Sequence, residues 1–285
     1  MAHMAHMNGF TYGLVNPLLA YLIAVIGAAL GLRCTVRALS LPRERRRGWL
    51  LLAASAIGCG IWTMHFIAML GFSVTDGTVV YDVPLTLLSL VVAVVVVGLG
   101  VFYVGYRPQG WGTLLVGGVL TGVGVAGMHY MGMAAMNVNG TVDYKPLLVA
   151  ASVGVGVFAA TAALWMTLNI RGFWPSVLSA LIAGVAVCAM HYTGTQAVTV
   201  RLSQAAHPSG VPAAEFALPL AVGIVVFLTA AAIVVAMSPH ESDRRRREDT
   251  QDQERIQVLL FDGRTRGLDQ NRDQSRDQSR DRDKR

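Results

Sequence analysis

The chain has 285 residues, of which 54% are hydrophobic and 14% are charged, and its mean hydropathy is +0.51. This composition excludes an ordinary soluble domain, which needs more polar surface, and favours an integral membrane protein. The net charge of +6 does not indicate a nucleic-acid partner, because residues 238–285 hold 13 of the 23 basic and 12 of the 17 acidic side chains. These charges nearly cancel and leave no basic face.

Seven apolar runs of about 20 residues follow one another along the chain, and each is long enough to cross a bilayer core of about 30 Å. They predict an all-α, polytopic protein embedded in the lipid bilayer. The predicted transmembrane helices lie near 14–38, 49–72, 84–106, 111–136, 147–168, 175–198 and 217–237. The pattern divides the chain into an external N-terminal segment, 1–13, a membrane domain, 14–237, and a charged, disordered cytoplasmic tail, 238–285.

The connections between these runs differ in basic residues, and this difference predicts the orientation of the chain. Eight arginines lie in or beside the connections that follow helices one, three and five, whereas the opposite side carries Lys145 and Arg201. Because Lys and Arg are enriched in cytoplasmic connections, we expect the N-terminus outside the cell and the C-terminus in the cytoplasm. The eight arginines are Arg33, Arg37, Arg43, Arg45, Arg46, Arg47, Arg107 and Arg171.

One short phrase recurs in the second, fourth and sixth runs. It reads M-H-F-I-A-M around His65, M-H-Y-M-G-M around His129 and M-H-Y-T-G-T around His191. The spacing of 64 and 62 residues equals two helices with their connections. The chain is therefore predicted to contain three parallel helix-pair repeats followed by a seventh helix. Each histidine is expected about 8 to 10 residues before the outer end of its helix, roughly 12–15 Å below that surface.

The residues around each histidine repeat as well. A glycine stands seven residues before each histidine, on the same helix face, and a small residue stands three residues after it. Small residues allow helices to approach closely in a membrane, so the histidine faces are predicted to point into the bundle. The glycines are Gly58, Gly122 and Gly184, and the small residues are Ala68, Gly132 and Gly194.

The methionines beside the histidines extend the pattern to a candidate metal site. The thioether favours Cu(I), and imidazole suits copper, zinc or iron. A hard cation is not expected, because the pattern places no carboxylate at the depth of the histidines. We therefore predict a copper site on helices two, four and six. Its candidate ligands are Met64, His65, Met69, Met128, His129, Met133, Met190 and His191.

The three phrases resemble the signatures of the bacterial MHYT domain, an integral membrane sensor module, and the likeness extends from residue 10 to about residue 237. The resemblance implies copper binding by the Met and His of each motif near the outer face of the bacterial plasma membrane. It also implies sensing of oxygen, carbon monoxide or nitric oxide. Two positions depart from the family pattern, since Phe66 replaces a tyrosine and Thr195 replaces a methionine.

Many members of this family continue into an output domain, whereas only about 48 residues follow the seventh run here. We therefore expect a diatomic gas or redox signal to pass to a cytoplasmic signalling partner. No Ser-His-Asp arrangement or phosphate-binding glycine loop occurs, so an enzyme is not expected. A copper or small-solute transporter remains open, as does a haem-binding electron carrier, which would use two facing imidazoles.

Overall fold

A computed structural model describes residues 3–4, 7–8, 11–75, 77–169, 172–203 and 208–238. The described residues contain seven helices that are long and apolar enough to cross a membrane, which confirms the predicted all-α membrane fold. Nearly all of the predicted cytoplasmic tail, from residue 239 onward, lies outside the described residues. The helices are α1 (Val15–Leu39), α2 (Arg46–Leu70), α3 (Val83–Tyr106), α4 (Trp111–Ala134), α5 (Pro146–Asn169), α6 (Phe173–Gln196) and α7 (Ala213–Met237).

The first six helices form a closed ring. Each helix packs against the helix before it and the helix after it, and α6 closes the ring by packing against α1. Helices α2, α4 and α6 also contact one another across the middle of the ring. Because these three helices occupy equivalent places in the predicted repeats, the ring has an approximate three-fold arrangement with the histidine helices facing its axis.

The glycines of the repeat allow the helices of the ring to pack closely, against backbone atoms at Gly58 and Gly122 and against side chains at Gly184. A side-chain carbon at any of the three positions would overlap the neighbouring helix, so no larger residue fits without moving it. Such close approach is the usual way in which small residues join membrane helices. The contacts join Gly58 of α2 to Val94 of α3, Gly122 of α4 to Val157 of α5, and Gly184 of α6 to Val25 of α1.

Short strands cover the ends of the ring at which α2, α4 and α6 finish, and we call this end the strand side. They form a three-stranded antiparallel sheet in the order β1-β7-β6 and two antiparallel pairs, β2-β3 and β4-β5. We call the opposite end, with Arg43–Arg47, the arginine side. The strands are β1 (His3–Met4), β2 (Met7–Asn8), β3 (Ser73–Val74), β4 (Val79–Tyr81), β5 (Met136–Val138), β6 (Gly140–Tyr144) and β7 (Val198–Leu202).

Helix α7 begins next to the first repeat. Tyr81 of β4 and Val211 exchange two backbone hydrogen bonds of 2.9 and 3.0 Å. Gly210 has a φ of +148°, and a Cβ there would press on the Tyr81 backbone, so glycine suits this junction. The buried residues of α7 recur at helical spacing along one stripe. They are Ala217, Ile224, Leu228 and Ala231.

The glycine contacts generate a test of the packing between α4 and α5. We expect Gly122→Ala to lower the free energy of unfolding by about 1–3 kcal/mol, because the new Cβ meets the backbone of Val157 rather than a flexible side chain. The free energy can be compared by thermal unfolding in detergent.

Gly127 provides the matched control in the same helix, because no atom lies within 4 Å of a Cβ built there. Gly127→Ala should be neutral or should stabilise the protein by up to about 1 kcal/mol through helix propensity. Equal destabilisation by both substitutions would contradict the described contact between α4 and α5.

Candidate metal centre

His65, His129 and His191 meet on the axis of the ring. The Nδ1 atom of His65 lies 3.0 Å from Nδ1 of His191 and 3.1 Å from Nδ1 of His129. The three ring centroids are 4.9 to 5.1 Å apart, and the ring planes are inclined at 77° to 87° to one another. The structure therefore brings the three predicted histidines into one compact triangle, which we call the histidine triad.

The triad lies at one level of the bundle. Each histidine stands five residues before the end of α2, α4 or α6, which is about 7–8 Å along a helix. This is nearer to the helix end than the sequence indicated, because the three helices end earlier and give way to strands.

The triad is closed off from solvent, since each histidine is at most 1% exposed. The Nε2 atoms of His65 and His129 have no hydrogen-bond partner among the described residues. They point at glycines instead, because a Cβ on Gly132 would overlap Nε2 of His65 and a Cβ on Gly194 would overlap Nε2 of His129. The small residue three positions after the histidine thus makes room for the imidazole of the preceding repeat.

The proton count of the triad is unfavourable without a further group. A ring nitrogen carries either one proton or one lone pair, yet Nδ1 of His65 faces two other Nδ1 atoms. If Nδ1 of His65 is protonated, its single proton is shared between two acceptors. If it is not, its single lone pair can accept one proton, and the other neighbour either competes for it or faces it with a lone pair of its own. A cation removes this conflict because it accepts a lone pair from each imidazole.

The distances also fit a metal ion. Imidazole nitrogens bound to one zinc ion at about 2.0–2.1 Å lie roughly 3.3–3.6 Å apart, so the observed Nδ1 distances need to increase by only a few tenths of an ångström. All three candidate ligand atoms lie within 4.8 Å of one another. The triad can therefore hold a metal ion, and its donor set does not by itself distinguish copper from zinc or iron.

The five methionines of the predicted ligand set are buried in the same core as the triad. Each is at most 2% exposed. Met190 lines an apolar cavity, where it also lies against Gly156, and Met69 lines a crevice at the strand side. The polar contacts within the triad join imidazoles only, so the methionines stay predicted ligands. The five are Met64, Met69, Met128, Met133 and Met190.

An aromatic ring follows each histidine and touches it edge to face. The centroid distances are 4.7 Å for His65 and Phe66, 4.9 Å for His129 and Tyr130, and 5.0 Å for His191 and Tyr192. Such contacts restrict the rotation of the imidazoles. They therefore help to keep the Nδ1 atoms directed at the axis.

Serines one repeat apart anchor the first two motifs to the next helix. The Tyr130 hydroxyl donates to Oγ of Ser152 at 2.6 Å, and Ser152 in turn donates to a backbone carbonyl of α5. In the first repeat Phe66 has no hydroxyl, and Nε1 of Trp62, one turn earlier, donates to Ser89 at 2.9 Å. Sequence reasoning missed these residues, although the 63-residue spacing of the two serines carried the signal.

Tyr81 covers the first motif at the strand side. Its ring lies 6.0 Å from that of Phe66 and 5.8 Å from that of Phe216 in α7. The side chain is 1% exposed, and its hydroxyl has no hydrogen-bond partner within the part of the chain that is described. Burial raises the pKa of this phenol above its usual value. The first motif is therefore sealed by α7 as well as by its own strand.

The fold and the triad define a class of protein, a polytopic membrane bundle with a polar site buried on its axis. The sequence pattern described as "MHYT: Bacterial signalling protein N terminal repeat" matches residues 58–117, 122–180 and 184–247. The matches cover more than half of the chain, and the chain belongs to the MHYT family. The family repeats begin at the three motif glycines, half a repeat later than the predicted helix pairs, because a ring of alternating helices can be divided at either point.

Curated relatives are bacterial signalling proteins. The chain is 32% identical over 270 residues to the bifunctional diguanylate cyclase/cyclic di-GMP phosphodiesterase MucR of Pseudomonas aeruginosa. This match covers 90% of this chain and 39% of that protein. The chain is also 34% identical over 273 residues to the cyclic di-GMP phosphodiesterase NbdA of the same species. That match covers 89% of this chain and 33% of NbdA. The chain thus spans between a third and two fifths of the length of these relatives. No solved structure matches it.

The orphan hydroxyl of Tyr81 generates a test of the cover over the first motif. We expect Tyr81→Phe to leave stability at pH 7 unchanged or to raise it by up to about 1–3 kcal/mol, because a buried polar group without a partner is removed. Above about pH 10 the unfolded chain loses the phenolic proton while the folded protein keeps it, so stability falls as pH rises. The variant should lose part of this alkaline decline.

Thermal unfolding between pH 7 and pH 11 measures both effects. Tyr12→Phe is the matched control, because it removes the hydroxyl of a tyrosine that is 64% exposed. A Tyr81→Phe variant that is clearly less stable than the parent at pH 7 would contradict the account, since the hydroxyl would then have a partner.

Proposed function

We propose that this membrane protein is a copper-binding sensor module in which the histidine triad holds the metal. The observation that carries the proposal is the meeting of three buried Nδ1 atoms, two of them 3.0 and 3.1 Å from the third, with no proton arrangement that satisfies them all. Membership of a bacterial signalling family supports the sensor role.

The proposed ligands are the Nδ1 atoms of His65, His129 and His191, with thioethers from the neighbouring methionines. Neutral imidazole and thioether together favour Cu(I) over harder cations. Bound copper would supply an open-shell or electron-rich centre able to take up a diatomic gas or change its oxidation state. The protein would contribute the orientation of the imidazoles, which the surrounding rings fix, and the exclusion of water by the buried position.

The arrangement favours a sensor over a transporter. A conduit would need ligands at successive depths, whereas the three imidazoles lie at one level of the bundle. One turn toward the arginine side of the triad, the axis is lined by Ile61, Val125 and Val187. A metal ion leaving the triad in that direction would meet aliphatic side chains, at a high cost in desolvation.

The spacing of the imidazoles also argues against a haem. A haem with two axial histidines places the iron and the whole macrocycle between the imidazoles. The ring centroids of the triad are 5.1 Å apart or less, and the ring edges meet aromatic neighbours and glycines. This space fits a single ion rather than a porphyrin.

We further propose that the strand side faces the outside of the cell and that the arginine side faces the cytoplasm, in accordance with the distribution of basic residues. The curated relatives are named for the turnover of cyclic di-GMP. By extension, we propose that ligand or redox change at the triad shifts α2, α4 and α6 against one another and is read by a cytoplasmic signalling partner of that enzyme class.

The first test of this function is the metal content of the purified protein. We expect copper in a fixed ratio to protein in the parent and its loss in the triple variant His65→Ala, His129→Ala, His191→Ala. Thr167→Ala is the control, because it removes a buried hydroxyl near the arginine side and should retain copper. A parent that contains no copper and cannot be reconstituted with it, or one with iron and a Soret band, would contradict the proposal.

A second test asks whether copper affinity depends on the position of one imidazole of the triad rather than on the stability of the whole bundle. The Cβ of Gly132→Ala overlaps Nε2 of His65 and should displace that imidazole, which we expect to weaken copper binding about tenfold or more. Gly127→Ala, in the same helix but facing open space, should bind copper like the parent. Affinity is measured by competition with a Cu(I) chelator of known strength. Unchanged affinity in Gly132→Ala would remove His65 from the ligand set.

A further inference from the structure

An apolar cavity of about 80 Å³ lies inside the ring, on the arginine side of the triad. All six helices of the ring contribute to its lining, and half of the lining residues from α1 and α5 are alanines, including Ala28 and Ala159. The cavity is therefore a feature of the whole repeat arrangement rather than a gap between two helices.

The cavity reaches to within one helical turn of the triad. Its lining includes Ile61, Val125 and Val187. Each stands four residues before a histidine of the triad, so it shares a helix face with that histidine and lies about 6 Å along the axis from it. Met190, the neighbour of His191, also lines the cavity.

The lining offers almost nothing to a polar guest. None of the described lining residues is charged, and the hydroxyls of two threonines are used within their own helices, from Thr35 to the carbonyl of Gly31 and from Thr167 to that of Ala163. The buried hydroxyl of Thr121 lies against Gly100 and has no hydrogen-bond partner among the described residues, so of the three lining hydroxyls only this one is left for a guest. A buried water needs two to four polar partners, so this cavity is unsuited to water.

We propose that the cavity binds a small, uncharged, apolar molecule of a few atoms and holds it one helical turn from the triad. Apolar cavities of roughly 150 Å³ stay dry and take up benzene or xenon, so a space of about half that size suits a guest as small as dioxygen or xenon. The role of the guest as a ligand of the metal rests on the proposed function, whereas its binding in the cavity does not require a metal.

Xenon is the probe that tests this site, because it is apolar, monatomic and chemically inert. The protein is labelled with ¹³C in the methionine methyl groups, and its NMR spectrum is recorded in nanodiscs under increasing xenon pressure. The methyl of Met190 should shift and saturate, because it lines the cavity. The methyl of Met237, a residue that is 78% exposed, should report only the linear partition of xenon into lipid.

Two substitutions change the size of the cavity in opposite directions. Ala159→Leu adds three carbon atoms within it and should abolish the saturable shift of Met190, whereas Val187→Ala enlarges it and should lower the xenon pressure at half saturation at least twofold. Ala151→Leu is the control, because it makes the same change on an exposed position of α5. Retained monodispersity and unfolding temperature show that each variant folds.

A linear shift of Met190, or a saturable shift that survives in Ala159→Leu, would overturn the proposal. The first result is also the one expected if a lipid chain already fills the space. Xenon binding is measured in copper-loaded and copper-free protein. Saturable xenon binding in a protein that cannot hold copper would support the cavity site and exclude the metal centre. Copper binding without saturable xenon binding would support the metal centre and exclude the cavity site.

Discussion

Three imidazoles meet on the axis of a membrane bundle, and their contact restricts how the surrounding helices can pack. A buried imidazole without partners is costly in an apolar medium, and a lipid-facing position would leave each histidine unpaired. When the three lie together, their ring nitrogens can hydrogen-bond to one another or bind one shared cation. That meeting is possible only because Gly132 and Gly194 leave room for the incoming rings and because Gly58, Gly122 and Gly184 let the outer helices close around them.

The three-fold arrangement of the donors is not matched by their surroundings. In the second repeat a tyrosine hydroxyl holds Ser152, while in the first the indole of Trp62 holds the equivalent Ser89. The first motif is also covered by Tyr81 and by Phe216 of α7, which breaks the symmetry of the ring. The first motif is thus anchored differently from the second, and a ligand-driven shift would act unequally on α2 and α4.

Much of the fold was predictable because hydropathy in a membrane protein is imposed by the bilayer itself. The predicted helix ends differ from the observed ones by four residues or fewer, and the largest difference is at the start of α7. The short strands were missed, since two to five residues between long apolar runs carry no periodicity that a single sequence resolves. The repeat also predicted that the histidines share one level, but only the structure shows that Nδ1, rather than Nε2, faces the axis. That orientation depends on rotamers held by Phe66 and Tyr130, which spacing does not encode.

¹⁵N NMR of the protein labelled in its histidine side chains, recorded without metal and with Cu(I), shows directly which ring nitrogens bind the metal. Because the Nδ1 atoms converge and the Nε2 atoms of His65 and His129 lie against glycine, we expect Cu(I) to shift three Nδ1 resonances while the corresponding Nε2 atoms stay protonated. Fewer than three shifted histidines, or binding through Nε2, would contradict a metal centre built on the histidine triad.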